Sequence, residues 1–438
     1  MARHQKCSLI MSKDNALKIL TNHTDSRLLT HLNSCVHCGL CAESCLYYRV
    51  YHDDRYIPSH KVELVASIYR RYSTFTGKYF PWLVGARNLD QEAIDEMTDL
   101  LFGACTLCGR CVPHCSIGVD IAYVVQQGRS MLAEMGMVPE SLQATVDAAI
   151  NTGNNMGITY EEFTDTIEWM QEELQAEVDD GNAVIPLDQP GKKVMYTLNP
   201  REPKFFPLSI AAMAKIFYAA KEEWTLSTKM YDVTNYAFFS GDMEAARVIA
   251  QRMTDEMHAL GAKRCVLAEC GHGSRAYRWE APNYLGMKVD FDVLTSVELI
   301  LEYIEQGRIK LDPSKNPDPV TLHDPCHLVR TGGIIHHQRE ILKHAVTTLV
   351  EMTPHGTDNF CCGGGGGALA MSEYNDRRMK SAEIKAEQIT RTGAGIVVTP
   401  CHNCVDQLIQ INGAFRLGIQ VRTMAEIVAD ALVLESSI

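Results

Sequence analysis

The chain has no stretch approaching the roughly 20 consecutive apolar residues of a membrane-spanning helix. Its first residues, MARHQKCSLIMSKDNALKIL, carry neither the apolar core nor the small-residue cleavage site of an export leader. It also lacks positive charge in surplus: 54 acidic side chains outweigh 41 basic ones, leaving a net charge of −13. Nucleic acid, whose phosphates demand a basic face, is excluded by that balance, and anionic lipid would be repelled. The most apolar long segment, residues 208–224, is interrupted by Lys215 and Lys221 and reads as an amphipathic helix. The expectation is a soluble chain in the cytoplasm, a compartment that keeps thiols reduced. With 438 residues and an apolar fraction of 46%, the chain has material for two or three domains with ample cores. It has no need of disulfide staples.

Cysteine is what it does have, 16 in all. Four lie at Cys35, Cys38, Cys41 and Cys45, and four more at Cys105, Cys108, Cys111 and Cys115. Both runs read C-x2-C-x2-C-x3-C, the spacing of a bacterial-type two-cluster ferredoxin, in which the fourth cysteine serves the other cluster. Three thiolates on one tight loop face the corners of a cube only at about this spacing. Cys35, Cys38, Cys41 and Cys115 are therefore assigned to one [4Fe-4S] cubane, and Cys105, Cys108, Cys111 and Cys45 to another. Leu46 and Ser116 stand where a proline usually follows, which removes no ligand. Zinc takes four ligands as two pairs and suits such runs poorly.

Residues 1–30 resemble a short leading helix. Between the two runs, residues 61–72 place Val62, Leu64, Val65, Ile68 and Tyr69 near helical spacing, and 89–101 do likewise. Residues 1–125 are thus expected to form an α-helical ferredoxin-like domain. Residues 126–190 read as an acidic helical linker, with Glu161-Glu162 and Glu172-Glu173; such a face is ordinarily just solvated, or else a dock for a basic partner. The sequence GNAVIPLDQPGK at 181–192 marks a boundary. Beyond it the chain repeats itself. Val194-Met-Tyr-Thr-Leu-Asn-Pro200 parallels Val320-Thr-Leu-His-Asp-Pro-Cys326, and Cys265-Val-Leu-Ala-Glu-Cys270-Gly-His-Gly273 parallels Ile396-Val-Val-Thr-Pro-Cys401-His-Asn-Cys404. Each match looks like a buried strand delivering a loop, with helices at 244–260 and 371–392. Two tandem α/β units follow, 191–315 and 316–438. In the first, Pro200 replaces Cys326, residues at or near Asp232-Val233-Thr234 replace Cys361-Cys362-Gly363, Gly273 replaces Cys404, and only Cys270 survives.

The second unit concentrates the chemistry. Its cysteines read Cys326-x34-Cys361-Cys362-x38-Cys401-x2-Cys404, with an unbroken glycine run from Gly363 to Gly367. Adjacent cysteines rarely bridge each other, but two thiolates side by side can grip two irons of one cluster. A thioredoxin-like role for Cys401 and Cys404 ignores the other three. Gly363, Gly364 and Gly365 are candidates for a backbone N–H nest around an anionic group; a flexible linker is the plainer reading. A dinucleotide loop lacks the preceding strand, and no Lys-Ser or Lys-Thr follows the glycines. His323, His327, His336, His337 and His402 flank the cysteine loops as possible proton donors or as packed side chains. Cys265 is expected to be an inert strand residue and Cys7 incidental.

The five-cysteine pattern resembles the cysteine-rich CCG domain of heterodisulfide reductases. The whole chain is similar to their D subunits and, more narrowly, to the cytoplasmic iron–sulfur subunits of the Dsr, Hmc and Tmc transmembrane redox complexes of sulfate reducers. The resemblance implies an α+β multidomain fold, with the ferredoxin domain followed by two tandem CCG-type units, the first degenerate. It implies a noncubane [4Fe-4S] cluster on Cys326, Cys361, Cys362, Cys401 and Cys404, beside the two cubanes. It also implies oxidoreductase activity on disulfide sulfur. Electrons would come from an integral-membrane cytochrome b or quinone-reactive subunit and multihaem cytochrome c, and go to a disulfide or trisulfide on a small DsrC-like sulfur-carrier protein. The chain would then sit peripherally on the inner face of the cytoplasmic membrane through its partners. In that family the repeats face one cavity, which would make Cys270 and His272 catalytic candidates. The missing first cluster sets the CoM–CoB heterodisulfide aside as substrate. Two other readings are the iron–sulfur subunit of a 2-hydroxyacid or glycerol-3-phosphate dehydrogenase working with a flavoprotein, and a pure electron wire.

Overall fold

The computed structural model describes residues 16–18, 26–286 and 289–434. Cys7 and most of the expected leading helix lie outside them; residues 16–18 and Ser26–Ser34 are helical. The chain forms two compact units. One comprises Met1–Ala144, Tyr236–Met243 and Gly363–Ile384, the other Thr145–Asn235, Glu244–Cys362 and Lys385–Ile438.

The described residues of the first unit contain helices and turns but no strand. Pro58–Ser73 begins with proline at its first turn, where the missing N–H costs nothing. Gln91–Leu101 and Ile121–Glu134 start at Asp90 and Asp120, whose carboxylates accept the N–H of Ala93 and Tyr123. Gly128 lets the last of these press on the other two: a Cβ there would lie 2.6 Å from Leu101 and 2.9 Å from Val65. The helices expected at 61–72 and 89–101 are therefore present.

The second unit holds two four-stranded parallel sheets. Val194–Tyr196 (β1), Trp224–Thr225 (β2), Arg264–Leu267 (β3) and Asp292–Thr295 (β4) lie in the order β2-β1-β3-β4. Val320–Leu322 (β5), Leu349–Val350 (β6), Ile396–Val398 (β7) and Gln420–Arg422 (β8) lie as β6-β5-β7-β8. Val194 pairs with Arg264 as Val320 pairs with Ile396. The two copies share a further signature. β4 and β8 each run into a helix through a capping box, Thr295 with Glu298 and Thr423 with Glu426. The fold is α+β, a helical cysteine-bearing part followed by two small parallel sheets.

Two elements differ from expectation. The helix at Leu208–Ala220 buries Ile210, Ala211, Ala212, Met213, Ala214, Ile216 and Phe217, so it is an interior helix rather than an amphipathic one. It packs on Tyr160–Val178 and Met424–Ala431. Lys215 is tolerated because its ammonium reaches Glu177 at 2.8 Å, and Lys221 sits past the helix in a left-handed cap. The long helix expected at 371–392 is two, Asn375–Ser381 and Glu383–Thr392. Its first part belongs to the helical unit.

Each repeat thus sends one segment into the first unit, the chain leaving the second after Asn235 and again after Cys362. Both segments meet the fully buried Arg129, which donates to the carbonyls of Phe239 at 2.6 Å and Gly366 at 2.7 Å. Both also press a glycine against backbone. A Cβ on Gly241 (φ +93°) would lie 2.4 Å from the Arg129 carbonyl carbon, and one on Gly366 (φ +61°) 2.6 Å from that of Thr106.

Gly366→Ala should therefore cost about 1–3 kcal/mol of overpacking beyond the strain it shares with Gly136→Ala. Gly136 has a similar φ of +68° but nothing within 4 Å of the added methyl. Thermal melting of the two variants measures the difference; equal losses would mean the Thr106 approach is not tight.

Candidate metal centres

The two N-terminal cysteine loops share one backbone. His37 and Gly39 are left-handed (φ 53° and 78°), and so are Leu107 and Gly109 (φ 53° and 71°), on either side of the second cysteine of each run. Non-glycine residues rarely adopt this conformation, and here it curls each loop around a common centre. Arg110 is buried and donates to the Ser44 carbonyl at 3.0 Å, tying the loops together. Cys45 lines the same cavity as Cys105, Cys108 and Cys111. In the other group, the Cys35 thiol is affected by Cys115 and Cys38, and that of Cys41 by Cys35. Each fourth cysteine therefore stands with the other run's first three.

A polynuclear cation suits this cavity. Burial pushes the thiols of Cys45 and Cys111 up, and at Cys111 the neighbouring Cys108, Cys105 and Cys45 push further. Bare thiolates would repel one another there; a metal deprotonates coordinating thiols outright. Lys61 also lines the cavity, its ammonium buried and donating to the Ala104 carbonyl. A buried ammonium needs a counter-charge, and four thiolates around a cluster supply one.

The five C-terminal cysteines form a second, wholly buried group. Cys326 follows β5 and lies 4.0 Å, sulfur to sulfur, from Cys361; Cys362 lies 3.4 Å from Cys404. Cys401 precedes helix His402–Phe415. It is pulled below the ordinary thiol range, first by the Cys404 thiol and then by the N–H groups of Gly271, Cys404 and Asn403. There is no disulfide among the described cysteines. A ring nitrogen of His323 and the sulfurs of Cys362 and Cys404 all lie within 4.8 Å of one another. Neither ring nitrogen of this buried side chain has a hydrogen-bond partner among the described residues. That arrangement is costly unless something else fills the space. Lys385 is buried at the same site, its Nζ 2.8 Å from Asn359 Oδ1. Burial brings it down to about 8, against the opposing charges of Cys362, Asp324, Cys361 and Cys404.

In the first repeat, Cys270 precedes the short helix Gly271–Gly273 as Cys401 precedes His402–Phe415, though only the Cys270 side chain accepts a capping N–H, and Gly271 N–H reaches Cys401 Sγ at 3.4 Å. The Cys270 sulfur accepts from Gly273 N–H at 3.3 Å and Asn199 Nδ2 at 3.4 Å, and Asn199 also donates to Asn403 Oδ1 at 2.8 Å. Polar side chains thus occupy the space around Cys270. His272 Nδ1 accepts from Asn403 Nδ2 at 2.9 Å, and burial, Arg201 and Arg275 drive its pKa down to about 3. Its ring lies 5.5 Å from that of His327. His402 stands 3.6 Å from the Glu202 carboxylate. With His402 driven to about 4 and Glu202 raised to about 8, both by burial, the contact is neutral near pH 7. His336 is exposed and His337 half-buried. In the glycine run, Gly363, Gly366 and Gly367 are left-handed, with close approaches from Gly366 to Thr106 and Gly367 to Leu142. Lys61, Lys385 and Arg129 were not singled out by the sequence. The available signal was that Lys61 shares a helix face with Leu64, Val65 and Ile68.

Burial raises Cys265 to about 12 and Cys270 higher still, so both remain thiols at pH 8. Native protein treated anaerobically with iodoacetamide at pH 8 should leave both unmodified, and unfolding should expose both. Alkylation of native Cys270 would mean an accessible thiolate.

Residues 31–119 match a 4Fe-4S dicluster domain and residues 320–409 a cysteine-rich CCG domain. The chain is 27% identical to the Hdr-like menaquinol oxidoreductase iron–sulfur subunit 2 of Archaeoglobus fulgidus, across 92% of this chain and 80% of that protein. It is 26% identical to the D subunit of the dihydromethanophenazine:CoB–CoM heterodisulfide reductase of Methanosarcina barkeri, across 93% and 96%. It is also 26% identical to a probable membrane-anchored ferredoxin of Chromohalobacter salexigens, across 92% of this chain and 60% of that one. Two cysteine-rich domain matches in this order, and likeness over nearly the whole chain, make it similar to Hdr-like iron–sulfur subunits and heterodisulfide reductase D subunits.

Proposed function

We propose that this Hdr-like electron-transfer subunit carries electrons from a quinol- or cytochrome-bearing membrane partner, through two cubanes, to a noncubane cluster that reduces a protein-borne disulfide or trisulfide. The observation carrying this reading is the buried, unbridged five-thiol group with His323 and Lys385 beside it. In this reading Cys35, Cys38, Cys41 and Cys115 hold one cubane, Cys45, Cys105, Cys108 and Cys111 the other, and Cys326, Cys361, Cys362, Cys401 and Cys404 the noncubane cluster. Residues 191–315 are then a degenerate CCG unit and 316–438 the intact one. The substrate is the disulfide of a small DsrC-like dithiol carrier, and the partner a membrane cytochrome b or quinone-reactive subunit, with multihaem cytochrome c beyond it, at the inner face of the membrane.

When bound, a cluster on the five thiolates supplies single electrons beside a soft-ligand iron that can hold a thiolate. The chain's own residues set the surroundings. Lys385 offsets negative charge at Cys361 and Cys362, and the first N–H groups of helix His402–Phe415 do the same at Cys401. His323 is placed to donate one ring N–H to sulfur. Because Asn403 donates to His272 Nδ1, the network assigns that ring's proton to Nε2, and its depressed pKa keeps it from acting as an imidazolium acid. Cys270, held as a thiol by Asn199 and Gly273, positions the first-repeat loop against Cys401.

Cys362→Ser should abolish the paramagnetic signal of the noncubane cluster and leave both cubane signals; loss of all three would mean the ligand sets are not separate. Oxidised protein mixed with a reduced dithiol carrier should develop a new paramagnetic state. No perturbation by any carrier thiol would favour the electron-wire reading. Lys61→Gln should lower the midpoint of one cubane by at least a tenfold change in its equilibrium, 59 mV for one electron. Unchanged midpoints in an EPR-monitored titration would remove Lys61 from the cavity's charge balance.

A further inference from the structure

The helical unit exposes a cluster of large apolar side chains outside the metal sites. Trp82 is 76% exposed, Phe75 and Leu83 71%, Tyr79 64% and Phe80 45%. They lie on Phe75–Tyr79 and Pro81–Leu83, two short turns inserted between the cysteine runs. The segment is braced rather than loose. Thr74 Oγ1 accepts from Gly77 N–H at 3.0 Å, and Arg71 donates to the Lys78 carbonyl at 3.0 Å and to Asn88 Oδ1 at 2.6 Å. Tyr72 accepts from Leu89 N–H at 3.1 Å. A rigid scaffold holding five apolar side chains in water has a use for them.

The local charge is opposite to that of the whole chain. Residues 70–89 contain Arg70, Arg71, Lys78 and Arg87 and no acidic residue. Glu63 pairs with Arg70 and Glu96 with Arg87. No carboxylate within salt-bridge distance is found for Arg71 or Lys78 among the described residues. Residues 70–89 thus present a local charge opposite in sign to the net charge of −13 that would repel anionic lipid.

We propose that residues 75–83 insert into the interfacial layer of an anionic bilayer, with Phe75, Tyr79, Phe80, Trp82 and Leu83 at the headgroup–acyl boundary and Lys78 among the phosphates. Trp, Tyr and Phe interleaved with lysine is the composition of membrane interfaces, whereas lysine is depleted from protein–protein interface cores. A nine-residue projection is also much smaller than the roughly 20–30 residues a side of a stable protein interface. Shallow insertion would supplement attachment through partner subunits, and it holds whether or not the disulfide reading does.

The test uses the full-length cluster-loaded protein and sedimentation with phosphatidylglycerol vesicles, phosphatidylcholine vesicles and no vesicles. Binding to the anionic vesicles, weakened by salt, is expected. The triple variant Phe75→Ser, Trp82→Ser, Leu83→Ser should bind at least tenfold more weakly, with iron content unchanged. Lys78→Glu should lose the preference for anionic lipid. Failure of the wild-type protein to sediment, or equal binding by the triple variant, would overturn the proposal. So would association only when an integral-membrane partner is reconstituted, which would assign the patch to a protein.

Discussion

The guanidinium of Arg129 is the interaction on which the helical unit depends. It is fully buried and spends its donors on four carbonyls: Nε on Leu101 at 3.0 Å, Nη1 on Phe239 at 2.6 Å and Gly366 at 2.7 Å, and Nη2 on Cys105 at 2.7 Å. Its plane lies over the Phe102 ring at 4.7 Å. One side chain thus joins the helix before the second cysteine run, the first cysteine of that run, and the segment each repeat sends into this unit. Lysine, with a compact charge and no planar fork, could not hold four carbonyls in these directions. The glycine run after Cys362 becomes intelligible in this light. Its left-handed residues bring backbone to Thr106 and to Arg129, so the segment leaving the adjacent cysteine pair is fixed beside the loop that carries Cys105.

Buried positive charge recurs where thiols gather. Lys61 lines the cavity with Cys45, Cys105, Cys108 and Cys111, and Lys385 stands near Cys361, Cys362 and Cys404. A buried ammonium is a liability in a protein interior, and thiols crowded together resist ionisation. An anionic iron–sulfur cluster resolves both at once. The degenerate repeat solves its own problem differently. Asp232 accepts from Asn155 and Thr234, and Asn199 bridges Cys270 and Asn403, so hydrogen bonds satisfy the buried polar groups of this repeat.

Much of this was legible in the sequence, because ligand spacing and strand periodicity are local signals. The tandem sheets follow from the matched apolar triplets before Cys270 and Cys401, while the exchange of fourth cysteines stays an expectation drawn from the repeat of C-x2-C-x2-C-x3-C. A third pair of matches, the capping boxes at Thr295 and Thr423, is equally local. What could not be read depended on tertiary burial. Leu208–Ala220 looks amphipathic until Tyr160–Val178 and Met424–Ala431 pack on it, and Lys61, Lys385 and Arg129 look like solvated helix charges until the fold encloses them. His323 was one of five histidines near cysteines, distinguished only by its two bare nitrogens beside Cys362 and Cys404. The break at Ala382 between Asn375–Ser381 and Glu383–Thr392 is one that no periodicity announces.

The central claim is that thirteen cysteines in three sets hold three four-iron clusters. Iron counted per chain in anaerobically prepared protein tests it most directly. The account predicts about twelve irons per chain; a reproducible value near eight, with both cubane signals intact, would contradict it by leaving the five-cysteine group without a cluster.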